Sequence, residues 1–129
     1  MRVVADSHAI FWYLRRSPSL SGTAGDMLRA AEEIVVSAAT LVDLWYVTQT
    51  TQAITADELA RVRDTIERSA RVQLRVIDAA VADAFTQIPR ATLSDPWDRF
   101  IVATAQVLEA PLATRDEAIQ KAGLVETIW

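Results

Sequence analysis

Short apolar, β-branched runs alternate with helix-forming segments along this chain, and that alternation restricts its fold more than any other feature. The runs predict five strands, at 2–6, 34–37, 74–77, 111–114 and 124–128. Helical patterns lie between them, at 8–15, 23–33, 38–50, 55–71, 79–87, 95–109 and 116–122. Because strands separated by helices need crossover connections, we expect an α/β fold with a central, mostly parallel five-stranded sheet flanked by helices on both faces.

The composition fits one compact domain spanning 1–129, since 51% of the residues are hydrophobic and can fill a sizeable core. The absence of cysteine excludes disulfides, thiolate catalysis and cysteine-based metal sites. No apolar run reaches transmembrane length, and we expect a cytoplasmic protein with no membrane partner. The net charge of −4 argues against a broad basic surface for nucleic acid, although metal ions held by acidic residues would reverse the sign locally.

Four aspartates lie in or at the tip of apolar segments, where a charged side chain is unusual. They are Asp6, Asp43, Asp98 and Asp116. A carboxylate avoids such surroundings unless a cation offsets its desolvation. No Lys or Arg lies three or four residues from Asp43, so its own helix offers no ion pair. A divalent metal shared by the four acids accounts for all of them, because Mg²⁺ and Mn²⁺ prefer carboxylate oxygens.

The predicted topology allows these acids to meet. Open parallel sheets bind ligands beyond the carboxyl ends of their strands. Asp6 ends the first predicted strand, and Asp116 follows the fourth. Asp98 lies near the start of a helix whose flank also carries Val102 and Ala105, so this acid faces protein. We therefore expect the acids to converge at this edge of the sheet.

Taken singly, most of these acids also fit structural roles. Asp6 suits the turn that follows a strand, and Asp95 suits the N-cap of the next-to-last helix. Asp98 fits the position of a reciprocal capping acid, and Asp116 lies inside a second capping-box pattern over 114–117. The metal interpretation therefore depends on the acids as a set.

Asp43 resists these alternatives because it lies in the middle of a predicted helix, where aspartate has poor propensity and no capping role. Its structural alternative is a buried ion pair with Arg99 or Arg115. His8, the only histidine, is predicted to support the structure or the site rather than to act as a base, because a metal-activated water needs no histidine.

Two further groups of residues suggest nucleic-acid contacts but have simpler interpretations. The arginines of the fourth helix are Arg61, Arg63, Arg68 and Arg71. Acidic residues precede three of them by four positions, which is typical of a solvated, salt-bridged helix face. The tryptophans are Trp12, Trp45, Trp97 and Trp129, and their apolar neighbours predict packing in the core or in an interface rather than base stacking.

The chain resembles PIN-domain proteins of the VapC toxin type over essentially its whole length. Four segments carry the resemblance: VVADSHAI, VVSAATLVDLWYV, SDPWDRFIVATAQ and LATRDEAI. The combination of DPWDR, an apolar helix and a following TRD is fairly specific, although each piece alone is weak. The resemblance implies a PIN-like fold and a metal-dependent endoribonuclease.

The resemblance also implies roles for individual residues. Asp6, Asp43, Asp98 and Asp116 would bind Mg²⁺ or Mn²⁺, Ser7, Asp95 and Thr114 would support that site, and Arg99 and Arg115 are candidate contacts to substrate or antitoxin. The family usually has glutamate at the second acidic position, and the side chain of Asp43 is shorter by about 1.5 Å, one carbon–carbon bond.

The partners implied by the resemblance are an RNA substrate of the tRNA, rRNA or mRNA class, a cognate antitoxin and a second copy of the chain. Candidate dimer residues are Ile10, Phe11, Trp12 and 44–47. Two alternative functions remain open from the residues alone. One is a catalytically silent PIN-like binding module whose acidic groove accepts a basic partner. The other is a phosphatase or phospho-acceptor that uses Asp6, although the expected second aspartate two residues later is His8.

Overall fold

The computed structural model describes residues 1–129 and contains five strands and seven helices. The strands are β1 (Arg2–Ala5), β2 (Glu33–Ser37), β3 (Val72–Arg75), β4 (Leu112–Ala113) and β5 (Thr127–Ile128). The helices are α1 (Ser7–Leu14), α2 (Gly22–Ala30), α3 (Ala38–Thr50), α4 (Ala56–Arg68), α5 (Ala79–Thr86), α6 (Pro96–Leu108) and α7 (Glu117–Ala122). The predicted α/β fold is confirmed.

The five strands form one sheet in the order β3-β2-β1-β4-β5, and every neighbouring pair is parallel. From β1 the chain builds outward on one side through β2 and β3, and later on the other side through β4 and β5. The order therefore reverses between β1 and β4. In open parallel sheets this switch point opens a crevice at the carboxyl ends of the two strands, where ligands bind.

Apolar side chains cover both faces of the sheet and form two core clusters. Val3 and Ala5 of β1 belong to one cluster, which includes residues of α1, α2, α3 and α4. Val4 belongs to the other cluster, which includes residues of α5, α6 and α7. This division follows from the two-residue period of a strand, which points successive side chains to opposite faces. Burial on both faces fixes β1 in the middle of the molecule.

The third strand was predicted at 74–77, but β3 starts and ends two residues earlier. Val72 pairs with Ile34, and the Ser69 hydroxyl accepts a hydrogen bond from the Val72 backbone N–H at 2.9 Å. Val76 and Ile77 lie beyond the paired region, where they are 63% and 41% exposed. The strand was predicted too far along the chain because Val76 and Ile77 are β-branched, and strand propensity does not distinguish a paired strand from an extended segment beside it.

The arginine-rich helix also ends earlier than predicted, at Arg68 rather than Arg71. Within α4, Arg63 pairs with Glu67 and Arg68 with Asp64, so the salt-bridged face is confirmed for these residues. Arg71 instead turns toward the carboxyl end of α2. Its guanidinium donates hydrogen bonds to the backbone carbonyls of three residues there, Leu28, Arg29 and Ala31, at 2.7–3.1 Å. Free carbonyls at a helix end attract such a cation.

None of the seven helices is both long enough and apolar enough to span a bilayer.

Candidate active site

Asp6 and Asp116 lie at the switch point, directly beyond β1 and beyond the end of β4. Asp6 is the N-cap of α1, and one of its carboxylate oxygens accepts the Ala9 N–H at 2.8 Å. Asp116 is the N-cap of α7 and accepts the Ile119 N–H at 2.9 Å. The predicted capping box over 114–117 is therefore wrong, because the cap residue is Asp116 itself. The Thr114 hydroxyl accepts the backbone N–H of Asp116 and holds the turn.

Burial is the main influence on the protonation of Asp6. The side chain is only 7% exposed, and desolvation raises the pKa of its carboxyl group above the ordinary value. The neighbouring Thr114 hydroxyl, the Ala9 amide and the charge of His8 oppose this rise, whereas the charge of Asp116 adds to it. A carboxylate placed in this way retains its charge more readily when a cation is nearby.

Asp98 occupies the first turn of α6, but it does not cap the helix. Asp95 is the N-cap, as predicted, and one of its oxygens accepts the backbone N–H groups of Trp97 and Asp98. The Asp98 carboxylate accepts no side-chain or backbone hydrogen bond, so the reciprocal capping role is absent. This leaves both of its oxygens available.

The pKa of Asp98 is raised by its own burial and by the other acids. Burial makes the largest contribution, the negative charges of Asp95, Asp116, Asp43 and Asp6 add to it, and together they raise the pKa to about 7. Charges on four different parts of the chain act together on this carboxyl group only because the fold brings them close to one another. The four acids therefore lie in one region of the structure, although no three of them are close enough together to enclose an ion.

Asp43 faces the same region from the middle of α3. The Ser7 hydroxyl donates a hydrogen bond of 2.6 Å to one Asp43 oxygen, and Ser7 is itself buried. The alternative ion pair is absent, because no salt bridge involves Asp43. The guanidinium of Arg99 lies over the Phe85 ring at 4.6 Å, and that of Arg115 lies over the Trp12 ring at 4.5 Å.

The side chains present fit a hard divalent cation. None of Asp6, Asp43, Asp95, Asp98 and Asp116 belongs to a salt bridge, so their charges are uncompensated by protein. Asp43, Asp95 and Asp116 each accept hydrogen bonds through one oxygen only, which leaves the other free to bind a metal or a metal-bound water. No group of three such side chains is yet close enough to enclose an ion. Binding therefore requires side-chain rotation or bridging water.

Thr40 is a feature of this region that the sequence reasoning missed. It lies three residues before Asp43 on α3 and is fully buried, yet its hydroxyl has no hydrogen-bond partner in the protein. A polar residue one turn away from an acid within an apolar helix was the available signal. His8 is exposed and contacts the Trp12 ring at 5.3 Å between centroids, and its charge acts on Asp6 from two residues away.

The four tryptophans lie in two separate groups, Trp12 with Trp129, and Trp45 with Trp97 through the ring of Tyr46. Trp12 and Trp129 pack against each other and against the first core cluster, as predicted. Trp45 is 48% exposed, so it does not fill the core, and of the two predicted alternatives only packing in an interface remains for it. It meets the ring of Tyr46, which is 45% exposed and in turn contacts Trp97.

The candidate dimer residues also divide. Ile10, Phe11 and Leu44 are buried in the core of a single chain and are not available to a partner. Trp45 and Tyr46 remain accessible.

Comparison with solved structures shows that this fold is known. The chain superposes on the FitAcB structure from Neisseria gonorrhoeae with a TM-score of 0.65 at 22% identity, covering 97% of this chain and 95% of that one. For Mycobacterium tuberculosis VapC20, a sarcin–ricin loop cleaving toxin, the TM-score is 0.70 at 14% identity, covering 96% and 97%. For a toxin–antitoxin complex from Klebsiella pneumoniae it is 0.68 at 17% identity, covering 95% and 94%.

No curated protein sequence matched the chain. The sequence model of the PIN domain matches residues 3–124, a span that contains β2, β3, β4 and all of β1 except Arg2, together with the five aspartates of the candidate site. The chain therefore belongs to the PIN domain family.

Proposed function

We propose that this PIN domain is the VapC-type toxin of a type II toxin–antitoxin pair, acting as a metal-dependent endoribonuclease on RNA of the tRNA, rRNA or mRNA class. The observation that supports the proposal is the mutual influence of Asp6, Asp43, Asp98 and Asp116, whose charges all act on Asp98 and none of which belongs to a salt bridge. Structural neighbours support it, since one is a toxin that cleaves the sarcin–ricin loop and another is a toxin–antitoxin complex.

These four carboxylates would hold Mg²⁺ or Mn²⁺, which when bound supplies a nucleophilic water at neutral pH and neutralises charge on the scissile phosphate. Ser7 fixes the rotamer of Asp43 through its hydrogen bond, and the Thr114 hydroxyl fixes the turn that carries Asp116. Asp95 orients the first turn of α6 and so directs Asp98 toward the other acids. The chain's own residues thus position the oxygen ligands, whereas activation of the water and neutralisation of the phosphate charge would come from the bound ion.

The remaining partners follow from the same site. A concentration of negative charge favours a basic antitoxin segment, which would compete with the metal and substrate. Arg99 and Arg115, each adjacent in sequence to a ligand and each stacked on an aromatic ring, are placed to contact RNA phosphates or antitoxin acids. We further propose that residues 1–129 act as one nuclease domain, in the cytoplasm and as a homodimer.

A catalytically silent binding module is the second candidate. Its support is the shorter Asp43 side chain at a position where the family usually has glutamate, together with the absence of a ready-made cage of three ligands. A metal titration by calorimetry separates the two candidates, because only the nuclease requires the ion.

The decisive experiment is cleavage of total cellular RNA by the purified chain freed of any antitoxin, with Mg²⁺ or Mn²⁺. The controls are a chelator, the Asp98→Asn variant, and Asp83→Asn, which makes the same chemical change at an exposed position of α5. We expect discrete cuts with wild type and Asp83→Asn that disappear with chelator and with Asp98→Asn. A folded chain that neither cuts RNA nor binds metal would make the binding module the correct assignment.

A further inference from the structure

The Thr40 hydroxyl is buried without a hydrogen-bond partner because of its place in the helix. The side chain is fully buried, and its oxygen makes no hydrogen bond within the protein. A buried helical threonine can donate to the carbonyl four residues earlier, as Thr104 does to Phe100 at 2.8 Å. Four residues before Thr40 the chain is still in β2, so no helical carbonyl lies there. A buried donor without a partner is rare and lowers stability, so this hydroxyl needs an explanation beyond packing.

Asp43 carries an acceptor on the same side of α3. It follows Thr40 by three residues, and residues at this spacing are neighbours on a helix surface, with about 5–6 Å between Cβ atoms. Helical side chains lean toward the amino end of the helix, so the Asp43 carboxylate extends back over the turn that carries Thr40. The hydroxyl oxygen lies one bond beyond its Cβ, and the carboxylate oxygens lie two bonds beyond theirs. Rotation of the two side chains is therefore enough to bring these oxygens within hydrogen-bonding distance.

One oxygen of Asp43 is free to accept such a bond. The buried Ser7 hydroxyl donates to Oδ2 at 2.6 Å, and Oδ1 accepts no hydrogen bond. Thr40 and Leu44, one helical turn apart, are fully buried, whereas Asp43 is only partly buried. Asp43 therefore lies at the border of the buried stripe of α3, with Thr40 on its core side. Because each carboxylate oxygen has two acceptor positions, a hydrogen bond to Oδ1 still allows that oxygen to bind a metal ion.

Asp43 is also free to move, which the acids must do before they can enclose an ion, since no three of them are close enough together. The carboxylates of Asp6 and Asp116 hold the starts of α1 and α7, so their rotation would break a helix cap. Asp43 lies in the middle of α3, which is capped by other residues, and its side chain can turn without that loss.

We propose that Thr40 is a positioning residue for the metal site, whose hydroxyl donates to Oδ1 of Asp43 when that carboxylate turns to bind the divalent ion. This rests on the proposed nuclease function and adds a residue to its site. Because the hydrogen bond forms only in the metal-bound protein, it stabilises that state relative to the metal-free one, in which the hydroxyl stays unpaired. Thr40 thus lowers the stability of the metal-free chain and raises its affinity for the ion.

The test compares the Kd for Mn²⁺, measured by calorimetry on the antitoxin-free chain, with the urea midpoint measured in chelator. Thr40→Val keeps the shape of the side chain but removes the hydroxyl, and it should raise the Kd about 10-fold, the equivalent of about 1.4 kcal/mol. Thr40→Ser keeps the hydroxyl and should bind Mn²⁺ within about 2-fold of wild type. In chelator, Thr40→Val should raise the urea midpoint and Thr40→Ser should lower it. A merely structural role does not change affinity and stability in opposite directions.

Two controls make the assignment specific. Thr104→Val is the same change at a buried helical threonine whose hydroxyl has a partner, so it should lower the urea midpoint and leave the Kd for Mn²⁺ unchanged. The second control places Thr40→Val in an Asp43→Glu background. The glutamate carboxylate extends about 1.5 Å farther from the helix, beyond the Thr40 hydroxyl. In that background Thr40→Val should change the Kd by less than about 2-fold, because the two residues are no longer coupled.

Three results overturn the proposal. The first is a wild-type Kd for Thr40→Val, in which case the metal site stands and only the role of the hydroxyl fails. The second is equal weakening by Thr40→Val and Thr40→Ser, which assigns the effect to altered packing. The third is an equal loss from Thr40→Val in the wild-type and Asp43→Glu backgrounds, because Thr40 then acts without Asp43. If the folded wild type binds no Mn²⁺, the proposed metal-dependent function and this inference fail together.

Discussion

Asp98→Asn should stabilise the metal-free protein at neutral and alkaline pH. The carboxyl group has an ordinary pKa of 3.8, and burial together with the neighbouring acids raises it to about 7 in the folded chain. At about 1.36 kcal/mol per pH unit, this difference corresponds to roughly 4 kcal/mol of unfavourable interaction in the charged form. Asp98 is partly exposed, and solvent screens its charge, so we expect about 1–2 kcal/mol.

The sign of the pH dependence follows from proton binding. Between about pH 4 and pH 7 the folded state binds a proton at Asp98 that the unfolded state has released, so the free energy of unfolding rises as the pH falls through this range. Above pH 7 both states carry the charge and the destabilisation is complete. Asp6, whose pKa is also raised by burial, adds to the slope in the same direction. Asparagine has no charge to lose, so the variant should retain only the part of the slope that Asp6 contributes.

The assay is urea unfolding at fixed protein concentration with chelator present, at half-unit steps from pH 5.5 to pH 8. Asp98→Asn should exceed wild type by about 1–2 kcal/mol at pH 8 and converge with it toward pH 5.5. Asp83→Asn, the same chemical change on an exposed helix position, should stay within about 0.5 kcal/mol of wild type throughout. A difference between Asp98→Asn and wild type that is constant over the range would refute the assignment of the effect to charge.

Three further changes test separate parts of the molecule. Asp43→Glu lengthens the shorter ligand by about 1.5 Å and should tighten Mn²⁺ binding several-fold in calorimetry, with a parallel gain in RNA cleavage. Thr40→Val replaces a buried, unpartnered hydroxyl with a methyl group of similar size and should raise the free energy of unfolding by about 1 kcal/mol, whereas Thr40→Ser should lower it. Arg71→Ala removes donors to three carbonyls at the end of α2 and should cost about 2 kcal/mol, against less than 0.5 kcal/mol for Arg63→Ala in an exposed pair.

Each of these changes has a contrary outcome. Weaker metal binding by Asp43→Glu would mean that the Ser7 hydrogen bond, not side-chain length, sets the ligand position. Destabilisation by Thr40→Val would mean that the hydroxyl has a partner in solution. Equal losses from Arg71→Ala and Arg63→Ala would mean that the carbonyl contacts contribute little.

The sequence predicted most of the fold because the decisive signals were local. The apolar, β-branched run of β1 and the Asp95 cap before Pro96 each depend on a few neighbouring residues, and both elements are present in the structure. The error at β3 has the opposite origin. Which residues of 72–77 pair with β2 is set by register across the sheet, and Val76 and Ile77 carry the same propensity whether paired or not.

The site was predictable as a set of acids and not as a geometry. That Asp6 and Asp116 meet follows from the rule for strand ends in a parallel sheet, which needs only the topology. The Ser7 contact with Asp43 and the isolation of the Thr40 hydroxyl depend on how α1 packs against α3, and no short-range pattern encodes that. The sequence left core and interface open for Trp45 for the same reason, since apolar neighbours in sequence do not reveal which side of a helix faces solvent.

Because β1 pairs with strands from both halves of the chain, the acids beside it can come together only late in synthesis on the ribosome. Asp6 is translated before its neighbour across the switch point, Asp116, which is added 110 residues later. At synthesis rates of about 5–20 residues per second, this is an interval of about 5 to 20 seconds. Throughout it, β1 has no β4 beside it and the acids cannot assemble. An interrupted chain that stops before residue 98 therefore lacks two of the four carboxylates, and translation itself delays the appearance of the complete centre.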